Sequence, residues 1–379
     1  MNHPSTLSPV SLTSWQESVR TSLAGRRVLL VVDGVVDRLF DVYRDVKSFF
    51  PSQPVSRFSD FAPNPNWNAL TQAMTVAHEM KADALLAIGG GTAMDLAKLT
   101  AAAMELGGCE ALWTHYQQGL LSEQTRPATP LLAIPTTAGT GAEVTPFAVL
   151  YRDGVKHSIA GPALKPDHAI LDPLFLSQLP PAIIADTGLD AACQAMESLW
   201  SNRTSSESEG FAWAALKLAA TDLMPAVQRQ NPASLAQMLI ASHRAGQAIS
   251  LTTTTAPHAL SYGLTSYLDI PHGQAVATLF GPIFAATGDM PTETCRHPHG
   301  TRFLATRLDE IAAVWGQTAA EFPVWWRQFL SEDLHVPSQP LSIPPALVEQ
   351  LASNVNPDRL VNHPRTFAPN EIAALYHGL

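Results

Sequence analysis

Four short apolar runs in the first 180 residues, each closing on a turn residue, constrain this chain more than any other feature. They are "RRVLLVVD" (Arg26 to Asp33), "DALLAIGGG" (Asp83 to Gly91), "PLLAIPTT" (Pro130 to Thr137) and "HAILDP" (His168 to Pro173). Runs without polar alternation read as strands covered on both faces. Between them the period changes to that of a helix, as in "AMDLAKLTAAAMEL" after the second run. Strands alternating with helices predict a parallel, doubly wound sheet. From "PAIIADTGLDAACQAMESLW" onward strand signals fade and long helical runs take over. The expected fold is an α/β domain over residues 1–180, then an all-α domain over 181–379, with the boundary at "LPP".

Composition excludes several classes of protein. The net charge of −10 and the lack of a Lys/Arg cluster argue against nucleic-acid binding. No run of about 18 apolar residues offers a membrane span. The stretch "MNHPSTLSPVSLTSWQESVR" lacks the charged start and apolar core of a secretory signal. Cys109, Cys193 and Cys295 are scattered and odd in number, which suits free thiols in a reducing compartment, the cytoplasm.

Chemistry is concentrated at three places. Gly89, Gly90, Gly91 and Thr92 stand where a strand gives way to a helix. Glycines admit close approach of a ligand to backbone amides, and a helix N-terminus favours an anion. The same spacing also suits a plain tight turn. A second turn, "PTTAGTGAEVT" (Pro135 to Thr145), follows the next strand, and two such turns in one sheet suggest a dinucleotide crevice. Asp33, ending the first strand, either meets an adenosine ribose or is a solvated strand end. The third place lies in the helical half. Asp190 and Gln194 share a helix face, and His258 and His272 lie further on in "APHALSYGLTSYLDIPHG". Two imidazoles and a carboxylate can hold a metal ion, and each is also common as a structural residue. Tyr262, one turn after His258, either passes a proton or packs.

Together these motifs resemble the iron-containing alcohol dehydrogenases. "GGGTAMDLAK", "PTTAGTGAE", "DAACQ" and the paired histidines of "PHALSYGLTSYLDIPHG" occur in that family's order, over about residues 25 to 285. The resemblance implies an N-terminal dinucleotide-binding domain and a C-terminal metal-binding domain. It implies that Gly89, Gly90, Gly91, Thr92 and Asp95 hold the pyrophosphate, and that Thr136, Thr137, Thr140, Thr145 and Lys156 line the cofactor. Asp190, His258 and His272 would be metal ligands, with Gln194 where the family places a fourth, histidine ligand. His258 and Tyr262 would also serve catalysis. The expected metal is Fe2+ ahead of Zn2+ or Mn2+, because an amide oxygen in place of an imidazole lowers the preference for zinc. Gln194 either ligates the ion or orients a water or substrate oxygen.

Within the family, "TGLDAACQAMESLWS", "AGQAISLTTTTAPHALSY", "CRHPHGTRF" and "NVNPDRLVNHPR" resemble the branch that reduces phosphonoacetaldehyde. That branch tends to carry Lys near the position of Thr253. Asp33 stands where NADPH-preferring relatives tend to have a small residue, which leans the cofactor to NADH over NADPH. The reaction expected is reduction of a small anionic aldehyde to a primary alcohol, in a homodimer, with no nucleic-acid or membrane partner. A carboxylate semialdehyde, a simple alcohol, or an inactive nucleotide-binding homologue are the other readings. Lys156, His157, Arg152 and Arg203 are the candidate cations for the substrate anion.

Overall fold

The computed structural model describes residues 12–123, 129–336 and 343–379. The first eleven residues of the N-terminal stretch read for a signal lie outside them. The chain divides into two compact units that meet in sequence at Gln178 and Leu179.

The first unit runs α1 (Trp15–Ser22), β1 (Val28–Val32), α2 (Gly34–Phe40), α3 (Val42–Phe49), β2 (Val55–Phe58), α4 (Trp67–Glu79), β3 (Ala84–Gly89), α5 (Gly91–Leu106), α6 (Cys109–Gln117), β4 (Leu131–Pro135), β5 (Phe147–Arg152), β6 (Val155–Ala160) and β7 (His168–Ala169). Five strands form a parallel sheet in the order β2-β1-β3-β4-β7. Every residue of β1, β3 and β4 is buried, as their unbroken apolar runs require. The order reverses direction between β1 and β3, which makes a switch point at their C-terminal ends. Alanine and leucine side chains of α4 and α5 pack with the sheet in one core.

Four strands depart from the sequence reading. β2 is a half-exposed edge strand of only four residues, too short and too polar to give a buried-strand signal. β5 and β6 form a separate antiparallel hairpin around Asp153 and Gly154, both at positive φ. That Asp-Gly pair is a hairpin signal, and the reading passed over it. The run "HAILDP" keeps only His168 and Ala169 as strand.

The second unit, within the described residues, is helical: α7 (Pro181–Trp200), α8 (Ser206–Arg229), α9 (Pro232–Thr252), α10 (Ala256–Leu268), α11 (His272–Gly288), α12 (Gly300–Val314), α13 (Phe322–Gln328), α14 (Pro345–Ser353), α15 (Pro357–Leu360) and α16 (Pro369–His377). Proline opens several of these helices, where its missing N–H costs nothing. Helix α7 is buried along nearly its whole second half. Among the described residues no helix is long and apolar enough to cross a membrane.

Candidate metal centre and nucleotide site

Asp190, Gln194 and Glu197 follow the i, i+4, i+7 spacing of one helix face, so α7 presents three polar groups in register. All three are buried. Buried polar groups need partners, and the next helices supply them. The N–H of Thr255, just before α10, donates to Glu197 Oε1 at 2.8 Å, and the Thr255 hydroxyl donates to the same oxygen at 2.9 Å. This fixes the start of α10 against α7. One turn on, His258 places its imidazole between two carboxylates. Its Nδ1 meets Glu197 Oε2, and its Nε2 lies 3.0 Å from Asp190 Oδ1.

His272 is the first residue of α11, behind Pro271. Its neighbour Gly273 explains the Pro-His-Gly sequence. A Cβ at Gly273 would lie 1.8 Å from the backbone oxygen of Asp186 on α7. Only glycine lets α11 approach α7 so closely, and the N–H of Gln274 donates to Asp186 Oδ1 at 2.9 Å. The approach brings ligand atoms of Asp190, His258 and His272 all within 4.8 Å of one another.

Gln194 completes the group. Its Nε2 donates to Asp190 Oδ1 at 3.0 Å, and its Oε1 is buried with no hydrogen-bond partner. A buried, unpaired carbonyl oxygen costs about 1–3 kcal/mol. One carboxylate, two imidazoles and this oxygen suit a divalent transition ion. The charges agree with such a site. Burial alone would raise the Asp190 carboxyl. The His258 hydrogen bond and the two nearby histidines instead hold it below the ordinary carboxylate range. Burial would lower His258, but Glu197 and then Asp190 override it and push it up to about 9. Tyr262 stacks parallel to His272, with ring centroids 5.9 Å apart and planes 8° from parallel.

Glu197 was missed by the sequence reading. Its signal is a carboxylate in the apolar run "AACQAMESLW", in phase with Asp190. Thr253, at the end of α9, adopts φ 59 and ψ 173, a region that residues other than glycine avoid. Asn362 holds it there. The Asn362 Nδ2 donates to Thr252 O at 2.6 Å and reaches Thr253 Oγ1 at 3.1 Å.

In the first unit the predicted nucleotide residues gather at the C-terminal ends of three adjacent strands. Asp33 ends β1 and caps α2, its Oδ1 accepting from Val35 N at 2.8 Å and Val36 N at 3.2 Å. Gly89, Gly90, Gly91 and Thr92 lead from β3 into α5, and Thr136 N donates to Gly89 O at 3.0 Å. A Cβ at Gly89 would lie 2.6 Å from that of Ala93, so the turn closes only with glycine. Cβ atoms at Gly90 and Gly91 would meet Thr137 and Thr140 at 3.6 and 3.3 Å, so the two turns face each other. This is the cradle of backbone and hydroxyl groups that a dinucleotide pyrophosphate fits.

Asp95 and Thr145 are engaged differently. Asp95 Oδ2 accepts from Val149 N at 2.9 Å, and the buried Lys98 Nζ donates to Thr145 Oγ1 at 3.1 Å and Phe147 O at 2.8 Å. They tie α5 to β5. Burial raises Asp95 to about 6 and lowers Lys98 to about 8. Lys156, on β6, adds positive charge near Asp95. Arg152 pairs with Glu110 at 3.1 Å and lies over the Trp67 and Trp113 rings at 3.8 and 4.6 Å. His157 stands edge-on to Trp113, and Arg203 is exposed.

The family model described as iron-containing alcohol dehydrogenase matches residues 11–173. The one described as the C-terminal part of the Fe-containing alcohol dehydrogenase family matches residues 184–377. The chain belongs to the iron-containing alcohol dehydrogenase family. Phosphonoacetaldehyde reductase of Streptomyces viridochromogenes is 37% identical over 260 residues. That match spans 66% of this chain and 65% of the reductase, just under two thirds of its length. Among solved structures, 1,3-propanediol oxidoreductase superposes with a TM-score of 0.84 at 26% identity, covering 96% of this chain and 94% of that one. Sulfoacetaldehyde reductase from Bifidobacterium kashiwanohense, in complex with NAD+, gives 0.81 at 26% identity, covering 96% and 93%.

Proposed function

We propose that this protein is a metal-dependent NAD(P)H oxidoreductase that reduces a small aldehyde to a primary alcohol, with phosphonoacetaldehyde as its substrate and NADH as its preferred cofactor. The observation that carries the reading is the group of buried Asp190 and His258 with half-buried His272, and the unpaired Gln194 Oε1 among them. The likeness to phosphonoacetaldehyde reductase supports the substrate. Asp33 supports NADH, because a carboxylate at the end of β1 repels a 2′-phosphate.

Asp190, His258, His272 and Gln194 would hold the ion. A divalent ion bound by them supplies Lewis acidity toward the carbonyl oxygen, worth several kcal/mol of transition-state stabilisation. The protein does the remaining work. Glu197 takes the Nδ1 proton of His258 into a hydrogen bond, which leaves Nε2 as the ligating nitrogen and fixes the ring plane. Asp190 supplies the negative charge and orients Gln194 through its amide. The facing turns at Gly90 and Thr137 would hold and orient the cofactor, which would supply the hydride. The Tyr262 Oη carries the proton that the product oxygen requires.

The test is turnover by purified, metal-replete protein with NADH against phosphonoacetaldehyde, succinic semialdehyde and propanal. The highest kcat/KM is expected with phosphonoacetaldehyde. No turnover of it beside good turnover of either other aldehyde would refute the substrate. Unchanged activity in His272→Ala would refute the metal mechanism.

A further inference from the structure

We infer that Arg359 is the side chain that selects an anionic aldehyde, by offering its guanidinium beside the metal group through Tyr262. This rests on the aldehyde-reductase reading and adds the residue that reads the substrate's charged end.

Tyr262 stacks on His272, one of the three grouped ligating residues. Arg359 Nη1 donates to Tyr262 Oη at 2.7 Å, and its guanidinium carbon lies 4.8 Å from the centre of the same ring. A chain of contacts thus links His272, Tyr262 and a permanent cation. Two other shielded arginines spend their charge on carboxylates: Arg307 on Glu209 and Arg365 on Glu371. Arg359 is half-buried and, among the described residues, has no carboxylate within ion-pair distance. Its single hydrogen bond to a phenol oxygen leaves most of its five donors for another acceptor. In a protein of net charge −10, a guanidinium kept clear of carboxylates is available to an anion from outside.

The placement is also rigid. Asn356 caps α15, its Oδ1 accepting from Asp358 N at 2.9 Å. Three residues beyond Arg359, Asn362 is bound to Thr252 O and to Ser201 Oγ. A cation held at both ends loses little freedom when it binds. The guanidinium fork matches the paired oxygens of a phosphonate, sulfonate or carboxylate. The ligand class is therefore a short aldehyde with a terminal oxyanion. Of the cations proposed from sequence, Arg152 is committed to Glu110 and two tryptophans, and Arg203 is exposed.

The experiment compares wild type with Arg359→Gln, Arg359→Met and Arg359→Lys, each loaded with metal to the same content. Two quantities are read: the ratio of kcat/KM for phosphonoacetaldehyde over propanal, and the inhibition of propanal reduction by ethylphosphonate, a non-reacting anion. Losing a charged hydrogen-bonding partner should lower the ratio about 30-fold in Arg359→Gln and weaken ethylphosphonate inhibition comparably. Arg359→Lys should recover part of both, as a point charge without the fork. An unchanged ratio, or unchanged ethylphosphonate inhibition, in both the Gln and Met variants overturns the assignment. Wild type that ignores phosphonoacetaldehyde yet is inhibited by ethylphosphonate in an Arg359-dependent way supports Arg359 while refuting the substrate proposed above.

Discussion

Glu197 and His258 face each other across α7 and α10, the carboxylate on Nδ1 and Asp190 on the opposite ring nitrogen. The plane of the imidazole is thereby fixed before it meets any ion. Outer partners of metal-bound histidines are typically worth 10- to 100-fold in metal affinity. Glu197→Gln keeps the volume and removes the charge. Its metal affinity, measured by competition with a chelator of known strength, should fall by about 10- to 100-fold. Equal affinity in the two proteins would reduce Glu197 to a packing residue.

Gln194→His replaces a neutral oxygen with a nitrogen donor. Imidazole suits zinc better than an amide oxygen does. Protein refolded or expressed with equal iron and zinc should then carry a severalfold higher zinc-to-iron ratio, read by elemental analysis. A ratio that does not move would place Gln194 outside the coordination sphere.

Gly273→Ala drives a methyl group into the Asp186 backbone oxygen, which has no rotamer to escape to. Overpacking of this kind costs about 3 kcal/mol or more. Helix α11 should shift, and His272 with it. A lower Tm together with lost metal is the expected result; a fully stable, metal-replete variant would contradict the close approach of the two helices.

Asp33→Ser retains a side chain able to cap α2 while removing the negative charge. The ratio of kcat/KM for NADPH over NADH should rise about tenfold, with little change in Tm. A ratio that stays constant would mean that Asp33 serves only as a helix cap.

His363 is wholly buried against Thr287, and burial pushes its pKa from 6.5 down to about 3. The folded protein therefore keeps it neutral where the unfolded chain binds a proton. Its contribution is complete above the unfolded value near 6.5 and is lost as pH falls toward 3. At pH 5 the loss amounts to about 2 kcal/mol. His363→Gln should be less stable at pH 7 but should lose less on acidification, as followed by chemical denaturation from pH 7 to 5. Parallel pH profiles would show that another group governs acid sensitivity.

The parallel sheet was legible because β1, β3 and β4 are buried on both faces, and such strands leave nothing but apolar residues in the sequence. The same condition hid β2, an edge strand with half its surface wet. The grouping of Asp190, His258 and His272 was legible by residue type and motif order. Glu197 and Arg359 were not, for opposite reasons. Glu197 looked like an ordinary helix carboxylate until α10 closed over it. Arg359 lies almost 100 residues beyond Tyr262, in a segment without periodicity, and only the tertiary fold puts its guanidinium on that ring. Lys98 was given no role, although α5 carries it into the core to Thr145 Oγ1 and the carbonyl of Phe147.

The grip of Asn362 on the strained turn at Thr253 has a consequence for biosynthesis. The two residues are 109 positions apart, and the turn aims the helix that bears His258. A growing polypeptide can finish the helices around Asp190 long before the asparagine emerges from the ribosome. Until then the turn is held only from α7, through Ser198 on Thr252 and Glu197 on Thr255. Prematurely terminated chains should therefore leave synthesis folded in part yet unable to scavenge transition metal from the cell.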